Sequence, residues 1–169
     1  MSPVWITRPE AERDVPAIRE VTLSAFPTSL EADLVEALRA DPAWRPGLSI
    51  VAEDTGGTVV AYSLLTRCHV GDVPALALGP CAVLPHHQRR GAGSAAIRAC
   101  LTAARAMGEN LVLVLGHPEY YPRFGFTRAS AYGIRPSFEV PDAAMMVLVF
   151  DDTLPVPGGT IVYPPPFGV

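Results

Sequence analysis

No lysine occurs among the 169 residues, and all thirteen basic side chains are arginine. That absence rules out the Lys-Ser/Thr ending with which a P-loop holds nucleotide phosphates. Long apolar runs are missing too. The chain is apolar overall, with 49% hydrophobic residues and a mean hydropathy of +0.25. Yet no run reaches the roughly 18 to 20 residues that a membrane span requires, so a soluble protein with no membrane partner is expected. The first residues, Met1-Ser2-Pro3-Val4-Trp5-Ile6-Thr7-Arg8, lack a basic start followed by an apolar stretch and a small-residue cleavage site. Nothing there marks the chain for export, and a cytoplasmic location is expected. Cysteine is scarce: Cys68, Cys81 and Cys100 are odd in number and lack the paired short spacing of a zinc or redox site. Free thiols and no metal are the expectation. The formal net charge is -4, and the arginines are scattered rather than gathered into a stripe, which argues against nucleic acid as a partner.

What is present is a run of short elements filling one domain, residues 1–169. Residues 4–7 read as a strand, and residues 15–25 as a helix capped by Asp14. Thr28 and Glu31 have capping-box spacing ahead of a helix whose apolar face is Leu30, Leu34, Val35 and Leu38. Proline and glycine break the pattern at 41–47, after which strands 48–53 and 58–70 are joined at Asp54-Thr55-Gly56-Gly57 as a hairpin. A strand over 75–83 carries Gly79-Pro80 in its middle, where proline removes a ladder donor, so a bulge or local splay is expected. Ala96, Ile97, Cys100, Leu101 and Ala104 give a helix over 93–107 its apolar face, and Gly108 stops it. Leu111-Val112-Leu113-Val114-Leu115 then has the pattern of a strand buried on both faces and paired in parallel. Strands at 133–137, 145–150 and 160–162 follow. Pro164-Pro165-Pro166 ends the chain as a proline-rich tail, about residues 160–169, that extends over the surface.

The most informative stretch is Val83-Leu84-Pro85-His86-His87-Gln88-Arg89-Arg90-Gly91-Ala92-Gly93-Ser94. Here a strand runs into a glycine-bracketed turn that opens an alanine-rich helix. The first turn of a helix has N–H groups without intrahelical partners and a partial positive charge, so an anion completes both. Gly91 and Gly93 remove the Cβ atoms that would hold phosphate oxygens away, while Arg89 and Arg90 add charge at the rim. A short Gly-x-Gly turn is weak evidence alone. His86 and His87 are adjacent, have no third ligand nearby and do not form a metal pair.

About thirty residues beyond the turn the chain reads Leu115-Gly116-His117-Pro118-Glu119-Tyr120-Tyr121-Pro122-Arg123-Phe124-Gly125-Phe126. The two segments, in this order, resemble the GCN5-related N-acetyltransferases, and within them the YhbS-like group of bacterial N-acetyltransferases. The resemblance spans most of the chain. It implies an α/β fold of the α+β kind, a single domain built on a mixed, mostly antiparallel sheet of about seven strands with about four helices around it. It also implies a splay between the central strands that holds the pantetheine arm of acetyl-CoA.

On that resemblance, acetyl-CoA is the acyl-donor substrate. Its cradle is Cys81, Ala82 and Val83 on the splayed strand with Gln88, Arg89, Arg90, Gly91, Ala92, Gly93 and Ser94 at the turn. A backbone N–H at or near Val83 stabilises the oxyanion. Tyr121, at the tyrosine position of the family's second motif, is the expected acid for the departing thiolate, and Tyr120 is expected to serve packing. A thiol with a pKa of roughly 8.5 leaves readily, so a weak acid suffices. No general base is singled out: His117, Glu119 and Glu31 are the candidates, and the strand over 75–83 has no acidic residue. The acceptor is the amine of a small molecule or a protein, the wall of its pocket is expected at residues 26–31, and a homodimer is compatible with the composition. A non-catalytic acyl-CoA binding or sensing domain is the alternative.

Overall fold

The structure, a computed structural model, describes residues 4–169. Residues 1–3, part of the stretch read above for an export signal, lie outside the described residues. In chain order the strands are β1 (Ile6–Pro9), β2 (Trp44–Glu53), β3 (Val59–Val70), β4 (Val73–Val83), β5 (Leu111–Leu115), β6 (Thr127–Arg128), β7 (Ile134–Arg135), β8 (Met145–Val149) and β9 (Gly159–Val162). The helices are α1 (Val15–Ala25), α2 (Leu30–Arg39) and α3 (Ala92–Ala106). The sheet runs β1-β2-β3-β4-β5-β8-β6, and β9 joins the edge of β3 with β7 beside it. Within that seven-strand path, pairing is antiparallel except between β4 and β5.

Both faces of the sheet are covered, which is why β4 and β5 are apolar without a break. Toward α3 point Leu76, Leu78, Val112 and Val114, packed with Ile97, Cys100 and Leu101. Ala75, Ala77, Leu111 and Leu113 alternate to the opposite face. On that side α1 and α2 place Ile18, Val21, Val35 and Leu38 against Val51, Tyr62, Leu64 and Ala82.

The expected elements are present with local corrections. Three α-helices form among the described residues rather than about four, and the stretch before β6 is only a 3-10 turn, Tyr121–Phe124. Asp14 does not cap α1. It ends a 3-10 turn, Glu12–Asp14, and its carboxylate accepts from the Ala11 N–H at 2.6 Å and from Arg8 at 2.6 and 2.9 Å. The Arg8 guanidinium holds this carboxyl below its ordinary range. The Thr28/Glu31 box does not form either: α2 starts after Ser29, Thr28 Oγ1 accepts only the Leu30 N–H at 3.3 Å, and Ser29 bonds Asp33. The proline-rich end is seated rather than extended. Thr160–Val162 lie within β9, Pro165–Phe167 form a 3-10 turn, and Phe167 packs between two core clusters.

The central feature is where β4 and β5 part. They pair only at Leu76 with Val112 and Ala77 with Leu113. Beyond those pairs β4 continues to Val83 and β5 to Leu115 without pairing to each other. The β3–β4 ladder shifts register between Ser63 and Leu65, opposite the cis Gly79–Pro80 peptide, so the bulge expected at this dipeptide is present.

Candidate active site

A cleft of about 780 Å³ occupies the gap between the parted strands. Ile97 of α3 lines it from one face of the sheet, and Ala25 and Phe26, at the end of α1, line it from the other. The cleft is therefore lined from both faces of the sheet. One wall is Cys81, Ala82 and Val83 of β4. The floor at the start of α3 is Gln88, Arg89, Gly91, Gly93 and Ser94, and the facing wall is His117, Tyr120, Tyr121 and Arg123. Of the residues expected at the donor site, only Arg90 and Ala92 are absent from the lining: Arg90 is exposed and Ala92 is buried against the sheet.

The turn before α3 is built for donors. Arg89 and Gly91 have φ of 63° and 90°, a left-handed conformation that turns successive N–H groups to one side. The Ala95 N–H is the first to bond back into the helix, to the Gly91 carbonyl at 2.9 Å. The N–H groups of Ala92, Gly93 and Ser94 thus have no intrahelical acceptor, and no carboxylate lines the cleft to compete for them. A Cβ on Gly93 would stand 2.8 Å from a Val83 methyl, so only glycine fits there without displacing the strand end. These residues fit a diphosphate.

Tyr121 stands on the opposite wall. Its ring is held edge-on by Tyr120, at 5.1 Å between centroids, and by Phe126, at 5.9 Å. Burial, with the Cys81 thiol nearby, drives the phenol well above its ordinary range, so it stays protonated. Burial likewise pushes the Cys81 thiol up to about 11, while a bond with Ser63 at 3.5 Å opposes the shift. Two features were not legible in the motifs. Gly116 carries the Tyr121 ring directly on its α-carbon: a Cβ there would stand 2.9 Å from Tyr121 Cδ2 and 3.3 Å from Cζ, with Cε2 nearer still. Tyr120 is more than packing, since its hydroxyl shares a 2.8 Å hydrogen bond with Ser94 Oγ in the first turn of α3. Arg123 stacks 4.3 Å over the Tyr120 ring.

The three candidate bases are not equal. His117 is on the cleft wall with its side chain 82% exposed, and Glu119 lies 3.7 Å from it. Glu31 is not on the wall, although one of its carboxylate oxygens is buried without a hydrogen-bond partner. Among the described residues no group of three or more His, Cys, Asp or Glu is gathered for a metal ion, and no helix is long and apolar enough to cross a membrane.

The family model described as Acetyltransferase (GNAT) family matches residues 15–126. Over 117 residues the chain is 44% identical to the uncharacterized N-acetyltransferase YjhQ of Escherichia coli, an alignment covering 67% of this chain and 64% of that protein, just under two thirds of its length. It is 29% identical over 161 residues to the uncharacterized N-acetyltransferase YhbS of Escherichia coli, covering 94% and 95% of the two chains. Among solved structures, that of YhbS from Escherichia coli in complex with CoA matches with a TM-score of 0.91 at 26% identity, over 100% of this chain and 94% of that one. A GNAT family acetyltransferase from Brucella melitensis in complex with acetyl-CoA matches with a TM-score of 0.79 at 29% identity, over 97% and 98%.

Proposed function

The chain belongs to the GNAT acetyltransferase family, and on that premise we propose that it transfers an acetyl group from acetyl-CoA to the amine of a small molecule or protein. The observation that carries this reading is the cleft between β4 and β5, with unpartnered helix N–H groups on its floor and Tyr121 on its wall. The diphosphate rests on the turn from Gln88 to Ser94, and the pantetheine arm follows Cys81, Ala82 and Val83 into the gap. The amine attacks the thioester carbonyl directly. A backbone N–H at the end of β4 receives the oxyanion, and the C–S bond breaks with Tyr121 donating to the sulfur. Because burial makes the phenol a poor acid, complete transfer of its proton is uphill. Its contribution is a hydrogen bond that strengthens as charge builds on sulfur. His117 is the one imidazole on the wall, and its neighbour Glu119 does not line the cleft, so the amine reacts neutral or loses its proton to His117 or to water. A cytoplasmic setting suits three cysteines that are all free.

The lack of a carboxylate in the cleft also suits a binding-only domain that senses acyl-CoA. A screen of amines against acetyl-CoA, with detection of free thiol, separates the two readings. Amine-dependent thiol release supports transfer. CoA binding with no release across small amines and peptide amines would favour sensing.

A further inference from the structure

We infer that Trp5 is a positioning residue that aims the Gly91 N–H into the cleft, an inference that rests on a CoA diphosphate being the occupant of that turn. The indole Nε1 donates to the Arg90 carbonyl at 2.9 Å across 85 positions of sequence. The Arg90 carbonyl and the Gly91 N–H belong to one peptide unit. In a trans peptide they point in opposite directions. Holding the carbonyl back against the indole therefore turns the N–H forward, and Gly91 lines the cleft.

The turn needs such a hold. Arg89 sits at a φ of 63°, which costs a side-chain-bearing residue about 1 kcal/mol or more and persists only when its surroundings impose it. The side chains of Arg89 and Arg90 make no hydrogen bond or ion pair within the described residues, and Gln88 reaches only the Val83 carbonyl at 3.3 Å. The indole is itself anchored. It packs on the cluster of Ala52, Val60, Ala61, Ala92 and Ala96, and the His87 ring meets it edge-on at 6.2 Å. A Cβ added to Gly91 would stand 3.7 Å from Nε1, so the indole borders the turn at Gly91 as well as bonding to Arg90.

The test is Trp5→Phe, which keeps an aromatic plate and removes the N–H. Binding is measured by calorimetry for CoA and, by competition, for pantetheine, which lacks the diphosphate. Loss of one hydrogen bond and of its hold on the turn weakens CoA about fivefold to tenfold, leaves pantetheine unchanged, and raises the KM for acetyl-CoA without changing kcat. Unchanged CoA affinity, or an equal loss for both ligands, would overturn the inference, the second because it marks a general loosening of the fold. Failure of the wild-type protein to bind CoA would instead overturn the proposed function, and this inference with it.

Discussion

Replacing Gly116 with alanine tests whether the Tyr121 ring has to lie where it does. The added Cβ would stand 2.9 Å from Cδ2 and 3.3 Å from Cζ of that ring, with Cε2 nearer still, whereas carbon atoms rest about 3.5 to 4.0 Å apart. The ring must retreat by roughly 1 Å, toward Tyr120 and Phe126, which already enclose it. Overpacking of this kind costs about 1–3 kcal/mol. A catalytic group misplaced by about 1 Å loses on the order of 10²-fold in rate. Gly116→Ala should thus lower kcat about a hundredfold while CoA affinity, set on the other wall, stays put. A double-mutant cycle isolates the cause. On a Tyr121→Ala background there is no ring to displace, so adding Gly116→Ala should cost neither melting temperature nor residual turnover. If Gly116→Ala turns over like the wild type, or if its loss persists without the Tyr121 ring, the seat described for Tyr121 is incorrect.

Tyr121→Phe keeps the ring and removes the hydroxyl, so kcat should fall by about 10² or more with CoA affinity unchanged in calorimetry; undiminished turnover would remove Tyr121 from the chemistry. Gly93→Ala brings a methyl group against Val83 and into the path of a phosphate, and should weaken CoA about tenfold; unchanged affinity would mean that the diphosphate rests elsewhere. Asp14→Asn should lower stability at pH 7 by about 1.5–3 kcal/mol, the range for a hydrogen bond to a charged group. The Asp14 carboxyl is held below its ordinary range by Arg8, so this contribution is complete above the unfolded value near pH 4 and is lost as pH falls through the folded one. The denaturation curves of wild type and variant should converge in acid; a gap that widens there would reverse the assigned sign.

Local signals carried most of the framework. The run of alternating leucine and valine marked β5, the spacing of Ala96, Ile97, Cys100 and Leu101 marked α3, and the two glycines marked the turn between strand and helix. What stayed hidden depends on partners far away in sequence. Nothing around Trp5 tells that its indole reaches Arg90, and Gly116 looks like an ordinary strand end until Tyr121 folds back over it. The caps of α1 and α2 were misplaced because polar side chains near helix starts have several acceptors and donors within reach. Asp14 is taken by Arg8 and Ala11, Ser29 by Asp33. Strands of two residues, β6 and β7, are too short to show any alternation.

A cleft lined from both faces of a sheet has consequences for traffic as well as for chemistry. Under the proposed transfer, one reactant would be held by residues of the α3 side while the other would meet those of the α1 side. Neither would then have to leave before the other bound, and the proposed transfer would run through a ternary complex.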